Sequence, residues 1–341
     1  MDDFDAHLED MQSRWRGMHV KDARIGEQNR VSRPWILHHD AWTEGLWKGI
    51  RESVSEYLER EDVQRHLGSH NLKSSWMLCA NLYFPFREDP GRQLVAAFLR
   101  SRVSKEIEAV ERIELEYAEP APLDPQTLLG EPETGKRGAN QTSPDVAFLV
   151  RLGNGKSGLI LTESKLAEHS FYACSGRKKS VENPDRSRCM DWPRIQADPI
   201  GQCWQMNWEQ EGRPNRKYWE HVQFSEEGKA SLRRCPAATA GYQLFRQQAL
   251  AEAIAASGQY DLVASCVAYD ARNDDLIHSL RSTGVDDFAT GWGRLFGGKA
   301  KFATWTHQEW VAWVRTHDSS GVWGDWLEYV EARYGYGKAA L

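Results

Sequence analysis

The chain has 341 residues, with 43 Lys and Arg against 49 Asp and Glu, a net charge of −6. That length suffices for one large core or two modest ones, and the acidic balance excludes a uniformly basic nucleic-acid binder while leaving room for local basic patches. No apolar run reaches the length of a membrane span, and the acidic start Met1-Asp2-Asp3-Phe4-Asp5 lacks the apolar region of a secretory signal. A cytoplasmic protein is therefore expected, in which the six cysteines are thiols or metal ligands rather than disulfides.

In chain order, Leu46, Trp47, Ile50, Val54, Tyr57 and Leu58 recur at helical spacing and predict an N-terminal helical layer over 41–60. Ser74 to Leu82 predicts a second helix, stopped by Pro85. Arg92 to Val110 predicts a longer one, with Val95, Leu99, Val103, Ile107 and Val110 as its buried stripe. Ile113 to Tyr117 reads as a first strand. Residues 119–143 form a Pro- and Gly-rich loop that runs straight into Asp145, so it is expected to help build a site. Val146 to Leu152 reads as a strand buried on both faces, Gly153-Asn154-Gly155 as a hairpin turn, and Leu159-Ile160-Leu161 as the returning strand. A polar, Trp-rich insertion fills 166–238. Ala240 to Ala256 predicts a helix and Tyr260 to Tyr269 a buried strand. The part from Asp274 is expected to be helical, with Trp292, Trp305, Trp310, Trp313, Trp323 and Trp326 as core anchors. Three regions follow: helical 1–90, a core over 91–270 with the insertion, and helical 271–341.

The chemistry concentrates in Pro144-Asp145 and Glu163-Ser164-Lys165. Folding the hairpin about Asn154 and Gly155 sets Asp145 opposite residue 163 or 164, and strand alternation puts Glu163 and Lys165 on one face. Pro144 suits the strand start because it donates no ladder hydrogen bond. Asp145, Glu163 and the Ser164 backbone carbonyl offer oxygens to Mg²⁺ or Mn²⁺, which lowers the pKa of a bound water. Lys165 then orients the nucleophile or stabilises charge developing on phosphorus. Gly153-Asn154-Gly155-Lys156-Ser157-Gly158 matches a phosphate-cradle pattern, but such a cradle must open a helix and here a strand follows, so nucleotide binding is rejected.

On the next helix Gln243, Gln247, Leu250 and Ile254 share a face whose polar end is expected to emerge into a cavity. Gln243 and Gln247 are then partners for the attacking water, Lys165 or a phosphate, and Arg246 a bidentate phosphate ligand; the alternative is an ordinary solvated helix start. Glu106, Glu108 and Glu131 are candidates for a further carboxylate, though nothing in the pattern singles one out. Cys79 and Cys266 fall in apolar segments and read as core. Cys174, Cys189, Cys203 and Cys235 lie in the insertion and offer four thiolates to a zinc ion or an iron–sulfur cluster. They include no C-x-x-C pair, so buried structural thiols are the default. Arg177-Lys178-Lys179, Arg186 and Arg188 interleave with Trp192, Trp204 and Trp208 as in a backbone-tracking surface, diluted by Glu182, Asp185 and Asp191; a solvated loop is the equal alternative. His38, His39, His66 and His70 read as ordinary helical or surface histidines.

The order helix, strand, strand, strand, helix, strand, with Pro144-Asp145 and Glu163-Ser164-Lys165, resembles the PD-(D/E)XK nuclease superfamily and its restriction-endonuclease-like fold. A closer likeness, to a bacterial branch of restriction endonucleases, spans most of 70–335. It is carried by Ser74-Ser75 to Asn81-Leu82-Tyr83-Phe84-Pro85, by Arg137-Gly138-Ala139-Asn140-Gln141-Thr142-Ser143, by the Glu163-Ser164-Lys165 strand and by Tyr242-Gln243-Leu244-Phe245-Arg246-Gln247-Gln248. The resemblance implies an α/β fold with an αβββαβ core, a mixed central sheet flanked by helices, helical additions at both ends and a Cys/Trp-rich insertion. It implies metal-dependent cleavage of DNA in restriction or phage defence, with Asp145 and Glu163 on the metal and Lys165 and Gln243 catalytic. Arg137, Asn140 and Thr142 would contact phosphate or brace the loop against Asp145, and Arg246 and Gln247 would contact nucleic acid. A second copy or a partner protein of a defence system joins DNA as expected partner. Nucleases of the RecB type similarly follow their lysine with a glutamine-bearing helix, and some hold an iron–sulfur cluster on a different cysteine arrangement. The competing readings are a catalytically silent nuclease-like module that binds nucleic acid or protein, and a redox- or metal-sensing subunit built on the cysteines.

Overall fold

The computed structural model describes residues 3–133, 135–153, 155–178, 183–207 and 215–337. Helix α1 (Asp3–His19) leads into an antiparallel hairpin of β1 (Ile25–Gln28) and β2 (Val31–Leu37). Helices α2 (Arg51–Arg60), α3 (Ser75–Tyr83) and α4 (Gly91–Arg102) follow. The central sheet contains β3 (Ile107–Leu115), β4 (Val146–Leu152), β5 (Ser157–Lys165), β6 (Leu262–Tyr269) and β7 (Lys301–Thr306), in that spatial order. Strands β3, β4 and β5 pair antiparallel, whereas β5, β6 and β7 pair parallel. Helix α5 (Tyr242–Ser257) lies in the crossover from β5 to β6, and α6 (His307–His317) and α7 (Gly324–Tyr334) complete the element order. This is the expected mixed α/β architecture, a central sheet flanked by helices and consistent with a restriction-endonuclease-like core. No helix among the described residues is long and apolar enough to cross a membrane.

Alternation along the strands assigns each side chain to one of two cores. Val146, Phe148 and Val150 of β4, Ile160 of β5, and Ala264, Cys266 and Ala268 of β6 face a layer that includes Leu8 and Trp15 of α1, Tyr57 of α2, Phe98 of α4 and Trp326 of α7. Ala147, Leu159, Leu161, Val263 and Val267 face the other way, against Leu244, Leu250 and Ile254 of α5 and against the insertion. Asp145, Glu163 and Lys165 continue the second set of positions, so the acidic pair and the lysine emerge on the α5 side.

Several elements differ from expectation for identifiable reasons. The helix predicted over 92–110 ends at Arg102, and Ile107 and Val110 belong to β3. Two register shifts in β3, between Ile107 and Ala109 and between Val110 and Arg112, each insert an extra residue. They let Ile107, Val110 and Ile113 all reach the core at a spacing of three, which imitates a helix. The stretch before α2 breaks into 3-10 turns at His39–Gly45 and Lys48–Ile50, where Gly45 and Gly49 weaken helix formation. The N-terminal region carries the β1–β2 hairpin, and the C-terminal region contributes β7, an edge strand in which Trp305 alone is fully buried, so no apolar alternation betrays it. Loop 119–143 contains a short helix, Pro125–Leu129, capped by Asp124. The β4–β5 turn brings Gly155 to φ 78, while Asn154 lies outside the described residues. Strand β5 starts at Ser157, so the Gly-Lys-Ser run opens a strand and cradles no phosphate at a helix start.

Candidate active site

The β4–β5 register pairs Val146 with Thr162, and continuing it by one residue sets Asp145 against Glu163. Asp145 Oδ2 accepts a hydrogen bond from the Ser164 backbone N–H at 2.7 Å. In a strand a residue's N–H and C=O leave on the same side, so the Ser164 carbonyl also faces that edge. Lys165 Nζ donates to Glu163 Oε1 at 2.7 Å, with Glu163 8% and Lys165 2% exposed. Asp145, Glu163 and Lys165 line a cleft of about 450 Å³ together with His66, Ser75, Glu168, Tyr172 and Gln243.

A third carboxylate, Glu116, stands beside them at the exit of β3. Its backbone N–H donates to the Asp145 carbonyl at 3.1 Å, and it is buried with φ at 48°, a left-handed conformation rare outside glycine. The segment Arg137 to Ser143 wraps this group. Arg137 Nε donates to the Glu116 carbonyl at 3.2 Å, and its Nη2 donates to the Leu115 carbonyl at 2.8 Å and the Tyr57 hydroxyl at 2.9 Å. Gly138, at φ 78, lies so close that a Cβ there would stand 2.8 Å from Glu116 Oε2. Sequence reading missed Glu116; the available signal was an acid at the end of the strand that pairs with the Asp145 strand.

The electrostatics follow from crowding. Burial, then Glu163, raises the Asp145 carboxyl well above the ordinary range, and burial, then Asp145 and Glu163, does the same to Glu116. Burial pulls the Lys165 ammonium down, but Glu163, Glu168 and Asp145 outweigh it and its pKa is raised. Three carboxyl groups crowd one ammonium, an oxygen-rich donor set that suits a hard divalent cation, whose binding would displace the protons that crowding retains. Among the described residues the oxygens of these three acids do not all come within 4.8 Å of one another.

Residues 9–335 match the family model described as Restriction Endonuclease associating with ARP, REase-ARP. The chain belongs to this family. No curated protein and no solved structure matches it. Membership in a restriction-endonuclease family supports a nuclease-like function, and the REase-ARP match takes in the insertion as well as the sheet.

Within this REase-ARP chain, α5 places Gln243 at the cleft, and its buried Oε1 has no partner. The other polar residues of that helix are used structurally. Gln247 is 2% exposed, and its Nε2 donates to the Leu161 carbonyl, the Ser265 hydroxyl and the Cys266 carbonyl, tying α5 to β5 and β6. Arg246 Nε donates to Glu131 Oε1 at 3.1 Å and to Thr142 Oγ1 at 2.9 Å, so a buried acid occupies the guanidinium expected to bind phosphate. Thr142 also donates from its backbone N–H and its hydroxyl to Glu131, which makes it a brace. Asn140 sits exposed at φ 57 and outside the cleft lining. Glu131 is thereby committed to its own network, Glu106 is exposed, and exposed Glu108 pairs with Arg151.

The REase-ARP insertion gathers Cys174, Cys189, Cys203 and Cys235 around one small pocket. Trp192 and Trp204 are buried rather than offered for stacking, and Arg177 donates to the Arg186 carbonyl. Lys179, Glu182 and Trp208 of the expected basic patch lie outside the described residues. His66 lines the cleft rather than standing apart from the site.

Proposed function

We propose that this REase-ARP member is a metal-dependent deoxyribonuclease of the PD-(D/E)XK type, acting in restriction or phage defence. The supporting observation is the convergence of Asp145, Glu163 and Lys165 on one sheet face at an accessible cleft. Asp145 and Glu163, with the Ser164 carbonyl alongside and Glu116 behind, are the residues to hold Mg²⁺ or Mn²⁺. When bound, such a cation acidifies a water and offsets charge building on the scissile phosphate. Lys165, kept protonated by its acidic neighbours, acts as a fixed positive charge that orients the attacking water and stabilises the pentavalent transition state. The unpartnered Gln243 Oε1 accepts a hydrogen bond from that water. Tyr172, 50% exposed at the cleft and within 5.9 Å of Lys165 Nζ by its ring centre, offers a stacking face to a nucleotide. The family description names association with ARP, and a protein partner within a defence system is our reading for this chain also.

Incubation of the purified protein with circular and linear DNA, in Mg²⁺, Mn²⁺ or EDTA, tests this. Cleavage with either cation and none in EDTA is expected. Asp145→Ala, Glu163→Ala and Lys165→Ala each abolish cleavage in circularly dichroic, folded protein, and unchanged cleavage by Lys165→Ala removes the mechanism. Asp145→Ala relieves like-charge crowding, so its melting temperature holds or rises, whereas Lys165→Ala lowers it by leaving buried acids without their counter-charge and Glu163→Ala lowers it by removing the direct partner of the buried ammonium. Glu163→Ala also weakens Mn²⁺ binding by calorimetry.

A further inference from the structure

The four insertion cysteines come from separate stretches of chain, yet Cys174, Cys189, Cys203 and Cys235 line a single apolar pocket, walled by Trp204, Trp219 and Phe245. None is in a disulfide. Backbone hydrogen bonds draw the stretches together: the Cys235 N–H donates to the Cys189 carbonyl at 2.9 Å, and the Cys174 N–H donates to the Ala237 carbonyl at 2.9 Å.

Donors are aimed at the sulfurs themselves. Gln205 Nε2 donates to Cys174 Sγ at 2.9 Å. Backbone N–H groups of Gly176, of Gln205 and Met206, and of Ala237 stand near the Cys174, Cys203 and Cys235 sulfurs in turn, two or three residues downstream, where they favour the thiolate form. A neutral thiol is a weak acceptor and gains little from such donors, whereas a metal-bound thiolate is tuned and stabilised by them.

We propose that Cys174, Cys189, Cys203 and Cys235 form a tetrathiolate site for a soft metal centre, either one zinc ion or an iron–sulfur cluster. Loading releases the four thiol protons to solvent. Two observations bear on which centre it takes, and they pull apart. Among the described residues no three of these sulfurs lie within 4.8 Å of one another. A single tetrahedral zinc spaces its sulfurs about 3.8 Å apart, from Zn–S bonds of about 2.3 Å, so the wider arrangement favours a cluster, whose ligands sit on separate irons. The free space between them, about 20 Å³, favours a single ion.

The site is also placed to act on the cleft. Tyr242 donates from its hydroxyl to Gln205 Oε1 at 3.1 Å, and the Tyr242 and Gln243 N–H groups donate to the Tyr172 and Phe171 carbonyls. A metal knot in the insertion therefore holds the first turn of α5, and with it Gln243, against the catalytic wall.

The test uses the full chain purified anaerobically from cells supplied with iron and zinc, read by elemental analysis, labile sulfide and visible absorbance. Stoichiometric zinc without colour, or iron with sulfide and a brown colour, supports the site and names its occupant. Cys189→Ser and Cys235→Ser are expected to lose metal by about tenfold or more, while Asp145→Ala keeps it. Where a variant fails to fold, titrating the parent protein with a mercurial thiol reagent decides, because the metal must leave in step with thiol modification. Neither metal present, even after anaerobic incubation with Zn²⁺ or with iron and sulfide, overturns the proposal, as does metal retained in both serine variants. Metal content is read apart from cleavage, so the nuclease reading and this one fail separately.

Discussion

At the scale of single residues, Glu116 is the group with the most to reveal. It is buried among like charges on a left-handed backbone, a costly arrangement that packing by Arg137 and Gly138 maintains. Glu116→Gln is expected to cut DNA cleavage roughly 10²-fold while raising the melting temperature, because one crowded charge is gone. Unchanged cleavage would make Glu116 a bystander to the metal site. His307 sets a different test. Its Nε2 donates to the Lys165 carbonyl at 3.1 Å, and its Nδ1 is buried without a partner. Burial lowers its pKa to about 4 from an ordinary 6.5. Between those values the unfolded chain binds the proton and the folded chain does not, so stability falls as pH drops from 6.5 toward 4 and is unaffected above. The full loss is about 3 kcal/mol, at about 1.4 kcal/mol per pH unit. The raised Asp145 and Glu116 carboxyls work in the opposite sense over the same range, so the His307 part is read as a difference: in urea titrations at pH 7 and pH 5, His307→Gln is expected to lose less stability on acidification than the parent protein.

At the scale of elements, α5 shows how one helix serves two purposes. Its first turn puts Gln243 at the cleft, while Gln247 and Arg246 fasten it to the sheet and to the 131–142 loop. The Glu131–Arg246 pair is buried and shared with Thr142 and Tyr218. Arg246→Ala strands Glu131, so a loss of about 3–5 kcal/mol is expected by denaturant titration; a variant of parental stability with weakened DNA affinity would restore Arg246 to the phosphate-binding set. The hairpin of β4 and β5 was legible because its strands are nearly continuous apolar runs joined by a short Gly-rich turn. Strand β3 was half legible, since its two bulges convert the period of a strand into the spacing of a helix.

At the scale of the whole molecule, the two terminal regions are parts of one core. Arg333 of α7 is fully buried, with Nε on Gln12 Oε1 of α1 and its guanidinium stacked on Trp15 and Tyr334. Arg333→Ala removes charged hydrogen bonds and opens a cavity, so about 3 kcal/mol of stability is expected to go, with faster proteolysis in α1 as the accompanying sign. The amino-acid sequence by itself determined the apolar hairpin, the placing of Glu163 and Lys165 on one face, and the nearness of Asp145, because strand alternation and a short turn are local rules acting over some twenty residues. Only the tertiary structure decided that Glu116 joins them, that Arg246 pairs with Glu131, and that four scattered cysteines line one pocket. Those outcomes depend on which strand lies beside which and on how loops with left-handed residues pack, and contacts between distant segments leave no period in the sequence.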